Sequence, residues 1–122
     1  MDLLPENDLE FLEEKEYKYQ LIQYEGGMYL IIEDFQFPLY TPSVANLLIC
    51  IPPGYSNAPL DMFWTQPDVK LLSGLFPQAS DVYEPHNGTQ WQRWSRHSTW
   101  RIGIDNIRTY IAAIKRELAK GI

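Results

Sequence analysis

Tyr17-Lys18-Tyr19-Gln20-Leu21-Ile22-Gln23-Tyr24-Glu25-Gly26-Gly27-Met28-Tyr29-Leu30-Ile31-Ile32-Glu33 is the stretch that decides the fold. Two runs of aromatic and branched aliphatic residues, 17 to 24 and 28 to 33, flank a Glu-Gly-Gly turn whose glycines accept the positive φ angles of a tight reversal. That pattern predicts a β-hairpin. Residues 46 to 51 (Asn-Leu-Leu-Ile-Cys-Ile) add a third apolar strand closed by Pro52-Pro53-Gly54, and residues 60 to 65 a fourth closed near Pro67.

Helices are expected on both sides of these strands. Pro5 followed by Glu6, Asn7, Asp8 and Glu10 is a helix start, with Leu9 and Leu12 as a short apolar face before the charge run Glu13-Glu14-Lys15-Glu16. After Trp100, the residues Ile104, Ile107, Ile111, Ile114 and Leu118 recur at helical spacing, with Lys115, Arg116 and Lys120 at the C-terminal end and Gly121 to stop the helix. Residues 66 to 92 hold Pro67, Gly74, Pro77, Pro85 and Gly88 without a sustained period. They are expected to form a long ordered active-site loop, packed through Leu71, Leu72, Leu75, Phe76 and Tyr83. The predicted fold class is α+β: an N-terminal helix, a four-stranded antiparallel meander, that loop and a C-terminal helix.

Composition sets the outer bounds. A chain of 122 residues, 45% hydrophobic, can enclose one core, so a single domain over residues 1–122 is expected. It contains no run of about 18 apolar residues, and Met1-Asp2-Leu3-Leu4-Pro5-Glu6 lacks the basic start and apolar stretch of a signal peptide. A cytoplasmic protein without a membrane segment is the expectation. The lone Cys50 cannot close an internal disulfide, and with His86 and His97 as the only histidines neither a metal site nor another cofactor is expected.

The net charge of −6 is unevenly spread. Residues 1–34 carry ten acids against Lys15 and Lys18, whereas residues 93–122 carry five Arg and two Lys against Asp105 and Glu117. Such a layout steers an acidic or carboxylate-bearing partner toward the basic end. An acidic whole with no nucleic-acid motif disfavours nucleic acid as that partner.

Within the basic end lies Trp91-Gln92-Arg93-Trp94-Ser95-Arg96-His97-Ser98-Thr99-Trp100, which with Arg101 places three tryptophans, three arginines and a histidine in eleven residues. It is the expected working face. Plainer readings stand beside this one. Ser95 suits a loop hydrogen-bonder, His97 a structural histidine, and His86 and Asn87 a simple turn before Gly88. Trp64 and Trp100 suit the core, Trp91 and Trp94 either core or groove wall, and Cys50 a small buried hydrophobe. Arg93, Arg96 and Arg101 can pair with the acidic N-terminal segment.

The order of elements resembles the ubiquitin-conjugating enzymes, and the chain is similar to their small bacterial relatives, prokaryotic family E. Three pieces carry the resemblance: Tyr24-Glu25-Gly26-Gly27-Met28, the link Ile51-Pro52-Pro53-Gly54-Tyr55-Ser56-Asn57-Ala58-Pro59, and Tyr83-Glu84-Pro85-His86-Asn87-Gly88, which looks like a rearranged Tyr-His-Pro-Asn motif. The family places its catalytic cysteine about eight residues after the motif's asparagine. Counting eight from Asn87 gives Ser95, so this chain has serine there.

The resemblance implies a carrier or transferase for a ubiquitin-like protein, loaded by an adenylating activating enzyme. The modifier's C-terminal glycine would sit as an oxyester on Ser95 before passing to an unidentified target. A hydroxyl is a weaker nucleophile than a thiolate and needs a base, for which His97 is the nearer candidate and His86 the second. Asn87 is the implied oxyanion donor, with Arg93 and Arg96 adding positive charge, and Trp91 and Trp94 contacting the partner. The alternative is an inactive variant that scaffolds the ubiquitin-like protein or its activating enzyme. By analogy the setting is an antiviral defence or regulatory cassette.

Overall fold

The computed structural model describes residues 4–122, so Met1-Asp2-Leu3 and the leader reading attached to them lie outside the described residues. α1 (Glu6–Glu14) begins directly after Pro5, whose fixed φ suits a helix entry, and it buries Phe11 and Leu12. β1 (Lys18–Tyr24) and β2 (Gly27–Gln36) form the hairpin read from the sequence, in register from Lys18 opposite Glu33 to Tyr24 opposite Gly27. β3 (Tyr40–Thr41) leaves the main sheet; β4 (Val44–Ile51) and β5 (Phe63–Gln66) continue it. The fourth strand thus starts later than the predicted residue 60.

Residues 66–92 depart furthest from expectation. Instead of a loop they contain β6 (Lys70–Leu71), β7 (Val82–His86) and the first part of β8 (Thr89–Trp94). β7 and β8 form a second hairpin whose two-residue turn is Asn87-Gly88, with φ of 51° and 84°. Paired positive φ values match the twist of the flanking strands, and Asn-Gly is the sequence that adopts them most easily. β8 then pairs with β5, giving a six-stranded antiparallel sheet in the order β1-β2-β4-β5-β8-β7, while β3 and β6 form a separate two-stranded ribbon. The expected meander is therefore two-thirds of the sheet. Leu72 and Leu75 are mostly exposed and Tyr83 is half-exposed, against the expectation that they pack.

α2 (Ile107–Leu118) starts three residues later than the periodicity suggests, leaving Ile104 exposed in a turn. The reason is local. The Asn106 side chain accepts from the Thr109 amide at 3.1 Å and the Thr109 hydroxyl accepts from the Asn106 amide at 2.9 Å, a reciprocal cap that fixes the start. Asp8 reinforces it, its buried carboxylate accepting from the Ile107 amide at 3.1 Å and from the Tyr55 hydroxyl at 2.8 Å. α1, the segment after β4 and α2 are thereby tied at one point. Burial raises the Asp8 carboxyl above its ordinary range, against the opposing pull of those two hydrogen bonds. Among the described residues no helix is long and apolar enough to cross a membrane.

Alternation along the strands sends residues to both sheet faces. Leu30, Ile32, Leu47, Ile49, Phe63 and Trp94 join the core against α1 and α2, and Tyr29, Ile31, Leu48, Trp64 and Trp91 form a second cluster on the other face. Having apolar residues on both faces is why β2 and β4 read as unbroken apolar runs. Gly27 lies against the end of β4: its φ is 137°, and an added Cβ would stand 2.3 Å from the Ile51 carbonyl oxygen. Gly27→Ala is expected to cost about 2 kcal/mol, roughly 8 °C in melting temperature. A thermal melt of the variant checks this.

Candidate functional site

β8 leaves the sheet at Trp94, and the chain turns there. The Arg96 amide donates back to the Trp94 carbonyl at 2.9 Å, which puts Ser95 at the apex of a three-residue turn, and the Ser95 amide donates to the Ala79 carbonyl at 2.9 Å. Ser95 itself is half-buried, and its hydroxyl makes no hydrogen bond among the described residues. The turn thus holds the backbone of Ser95 and leaves its oxygen unused.

Arg96 pins the residues after the turn. Its guanidinium donates to the Gln78 carbonyl at 3.1 and 2.9 Å, to the Ile122 carbonyl at 2.7 Å and to Glu117 at 3.2 Å, and it lies over the Trp94 ring. With these acceptors around a side chain only 9% exposed, Arg96 is a structural clamp between the segment before β7 and the end of α2. At the far end of the segment the Trp100 indole donates to the Ser56 carbonyl at 2.9 Å and packs against Tyr55 and Tyr110. Arg101 closes on Asp105 at 2.9 Å, its guanidinium and amide holding that carboxyl down at about 2.

Between these anchors His97, Ser98 and Thr99 are exposed. The segment stands off α2, leaving two clefts of about 490 Å³ and 250 Å³ that share Ser98, Tyr110, Ala113 and Arg116. His97 borders the smaller, and its Nδ1 lies 2.8 Å from Asp61 Oδ1. An ionised carboxylate only accepts, so Nδ1 carries the hydrogen and Nε2 is left as the free nitrogen. Sequence reasoning missed Asp61, since nothing in the chain links it to a histidine 36 residues away.

The other predicted site residues are elsewhere. Asn87 is at the turn of the β7–β8 hairpin, and β8 runs fully extended between it and Ser95. Six strand residues span ~20 Å. Neither Asn87 nor His86 therefore reaches Ser95. His86 lies on the sheet face opposite α2, its Nδ1 3.3 Å from the Tyr29 hydroxyl and its Nε2 3.4 Å from Glu84, its ring edge-on to Trp64.

The tryptophans of the quoted run divide between the two faces instead of forming a wall. Trp94 is fully buried in the main core, and Trp91, 4% exposed, packs in the second cluster. Neither presents a surface to a partner. Arg93 bonds Glu84 at 2.8 Å on that second face, so Arg93, Arg96 and Arg101 pair with Glu84, Glu117 and Asp105 and not with the acidic N-terminal segment. Burial alone would raise Glu84, but hydrogen bonds from Arg93, Trp64 and His86 outweigh it and hold the carboxyl below its usual range.

Cys50 is no substitute nucleophile. It is half-buried in β4 beside the second cluster, and burial together with the charge of Glu84 pushes its thiol up to about 12. A thiol so raised holds almost no thiolate near neutral pH.

Along one short segment the structure thus places an unpaired hydroxyl at a turn and, two residues on, an imidazole held by a carboxylate; His97 and Ser98 border the clefts against α2, whereas Ser95 lines neither. Compared with known families, the chain matches the model described as prokaryotic E2 family E over residues 4–121. No curated protein and no solved structure matched it.

Proposed function

The chain belongs to prokaryotic E2 family E, and on that premise we propose that it carries a ubiquitin-like modifier as an oxyester on Ser95 and passes it to an amine. The family implies interaction with ubiquitin-like proteins and their activating enzymes. The observation that carries the serine reading is the Ser95 hydroxyl, unpaired among the described residues at the apex of a turn fixed by two backbone hydrogen bonds. A side chain that stabilised the loop would use its oxygen there. Loading would form the bond between Ser95 Oγ and the modifier's C-terminal carbonyl carbon, release the activating enzyme's thiol and transfer the serine proton to a base. The clefts begin at the residues that follow Ser95, which itself lines neither; they share Ser98 and Ala113 and offer room for an extended, glycine-ended tail.

A second reading has its own support. No thiol lies in the 95–101 segment, and among the described residues no hydrogen bond joins Ser95 to His97, which fits a catalytically silent member that holds a ubiquitin-like protein or its activating enzyme in place. Intact mass separates the two after incubation with an activating enzyme, a ubiquitin-like modifier and ATP. The carrier reading expects a modifier-sized adduct on the wild type that survives thiol reductant and yields to alkali. Ser95→Ala abolishes it, with less than about 0.5 kcal/mol change in stability because no side-chain bond is lost. Retained binding without any adduct would make the protein a scaffold.

A further inference from the structure

A serine carrier meets a difficulty that a cysteine carrier does not. When an amine displaces a thioester, sulfur departs as a stable thiolate; when it displaces a serine ester, the alkoxide is a far poorer leaving group and must be protonated as it goes. Such a site needs a group able to take the proton from the attacking amine and return it to the departing oxygen. Imidazole does this when one nitrogen is held and the other is free.

His97 is so held. Its Nδ1 faces Asp61 at 2.8 Å, and Nε2 makes no hydrogen bond among the described residues. The pair is an exposed one, the two side chains 63% and 48% accessible, and exposed pairs contribute little to stability. Folding therefore gives little reason for it. His97 is two residues from Ser95, so their Cα atoms are within about 7.6 Å, short enough for an imidazole and a hydroxyl to meet through one water once the exposed His97 side chain turns toward the serine. The other titratable groups lining the cleft that His97 borders are Arg96 on its own segment and Tyr110, Arg116, Glu117 and Lys120 from α2. Arg96 and Lys120 are engaged by Glu117. Among the described residues Asp61 is the only carboxylate bonded to the imidazole.

We propose that Asp61 is the positioning residue that fixes His97, and that His97 Nε2 is the proton carrier for discharge of the Ser95 ester. This rests on the serine-carrier reading above. In the step, the amine nitrogen bonds to the ester carbonyl carbon, the carbon–Oγ bond breaks, Nε2 takes the amine's proton, and the same proton is returned to Oγ. An amide and a free Ser95 hydroxyl result, and no other reactant is consumed.

The test acylates the full chain with a synthetic peptide thioester ending in Gly-Gly and follows discharge to free lysine by intact mass across pH. Wild type, His97→Gln and Asp61→Asn are compared, each also in a Ser95→Cys background. On the serine carrier His97→Gln is expected to slow discharge about 100-fold and Asp61→Asn roughly tenfold. The imidazole titration in the wild-type pH profile should vanish in His97→Gln. With Ser95→Cys, whose thiolate leaves unaided, both substitutions are expected to change discharge by less than about threefold. A Ser95 ester that discharges at the same rate in all three overturns the role of the pair while leaving the carrier intact, as does an equal loss in the cysteine background, which marks a merely structural effect. Absence of any Ser95 ester on the wild type removes the carrier reading and this inference with it.

Discussion

Trp94→Ala is expected to lower the unfolding free energy by about 4 kcal/mol, the largest effect of any single truncation in the chain. Its ring stacks on Phe63 at 5.1 Å and Phe37 at 6.4 Å, meets Tyr40 edge-on at 5.9 Å, and its indole donates to the Thr65 hydroxyl at 2.9 Å. Truncation removes this aromatic packing, opens a cavity beneath α2 and strips the Thr65 hydroxyl of its donor. Against a typical total of about 5–15 kcal/mol, such a loss brings the domain near its limit. Urea denaturation checks it: the midpoint should fall by roughly 2 M at an unchanged slope. A midpoint within about 0.3 M of wild type would mean that Trp94 is not the centre of the core.

Gln92→Leu is expected to cost nearly as much, by another route. The buried Gln92 amide accepts from the Thr65 hydroxyl at 2.8 Å and the Val69 amide at 2.7 Å, and donates to the Val69 carbonyl at 2.9 Å and the Ser80 carbonyl at 3.1 Å. One side chain thereby ties Val69 and Ser80, which lie outside the paired strands on either side of β6, to β8. Leucine matches its volume but leaves three backbone groups without partners, each costing about 1–3 kcal/mol, and we expect a total near 3 kcal/mol. The consequence reaches the site, because the same segment supplies the Ala79 carbonyl that holds the Ser95 amide. Amide hydrogen exchange should speed up at Val69 and Ser95 while the β1–β2 hairpin keeps its protection. Unchanged exchange at Ser95 would show the turn to be independent of Gln92.

The parts of the fold that were legible in the sequence are those with short-range signals. The Glu25-Gly26-Gly27 turn and its flanking apolar runs predict β1 and β2 to within a few residues at either end, and the isoleucine spacing predicts α2. Ile104 shows where periodicity misleads: it continues the apolar repeat, yet the Asn106–Thr109 cap begins the helix after it. The β7–β8 hairpin carried a usable signal as well. Asn87-Gly88 is a strong hairpin turn, but the neighbouring Pro85 and His86 invite reading it as a displaced family motif in a loop.

The site was legible only in part, for a physical reason. The family resemblance grouped Asn87 with Ser95, and proximity along the chain added His97, but an extended strand separates residues that a loop of the same length can bring together. Trp91 and Trp94, three positions apart in one strand, fall on opposite faces and so cannot line one groove. Asp61 and Gln92 act through contacts distant along the chain, His97 in one case and Val69 in the other, which no local pattern encodes.

Whether Ser95 is the carrier is decided by tandem mass spectrometry of the loaded protein after digestion, mapping the residue that bears the modifier's C-terminal glycine. Attachment is expected within the peptide containing Trp94-Ser95-Arg96, at the serine oxygen, with loss of the label under mild alkali. Attachment to a lysine, to Cys50 or to Ser98, or no attachment while the activating enzyme is loaded, would contradict it.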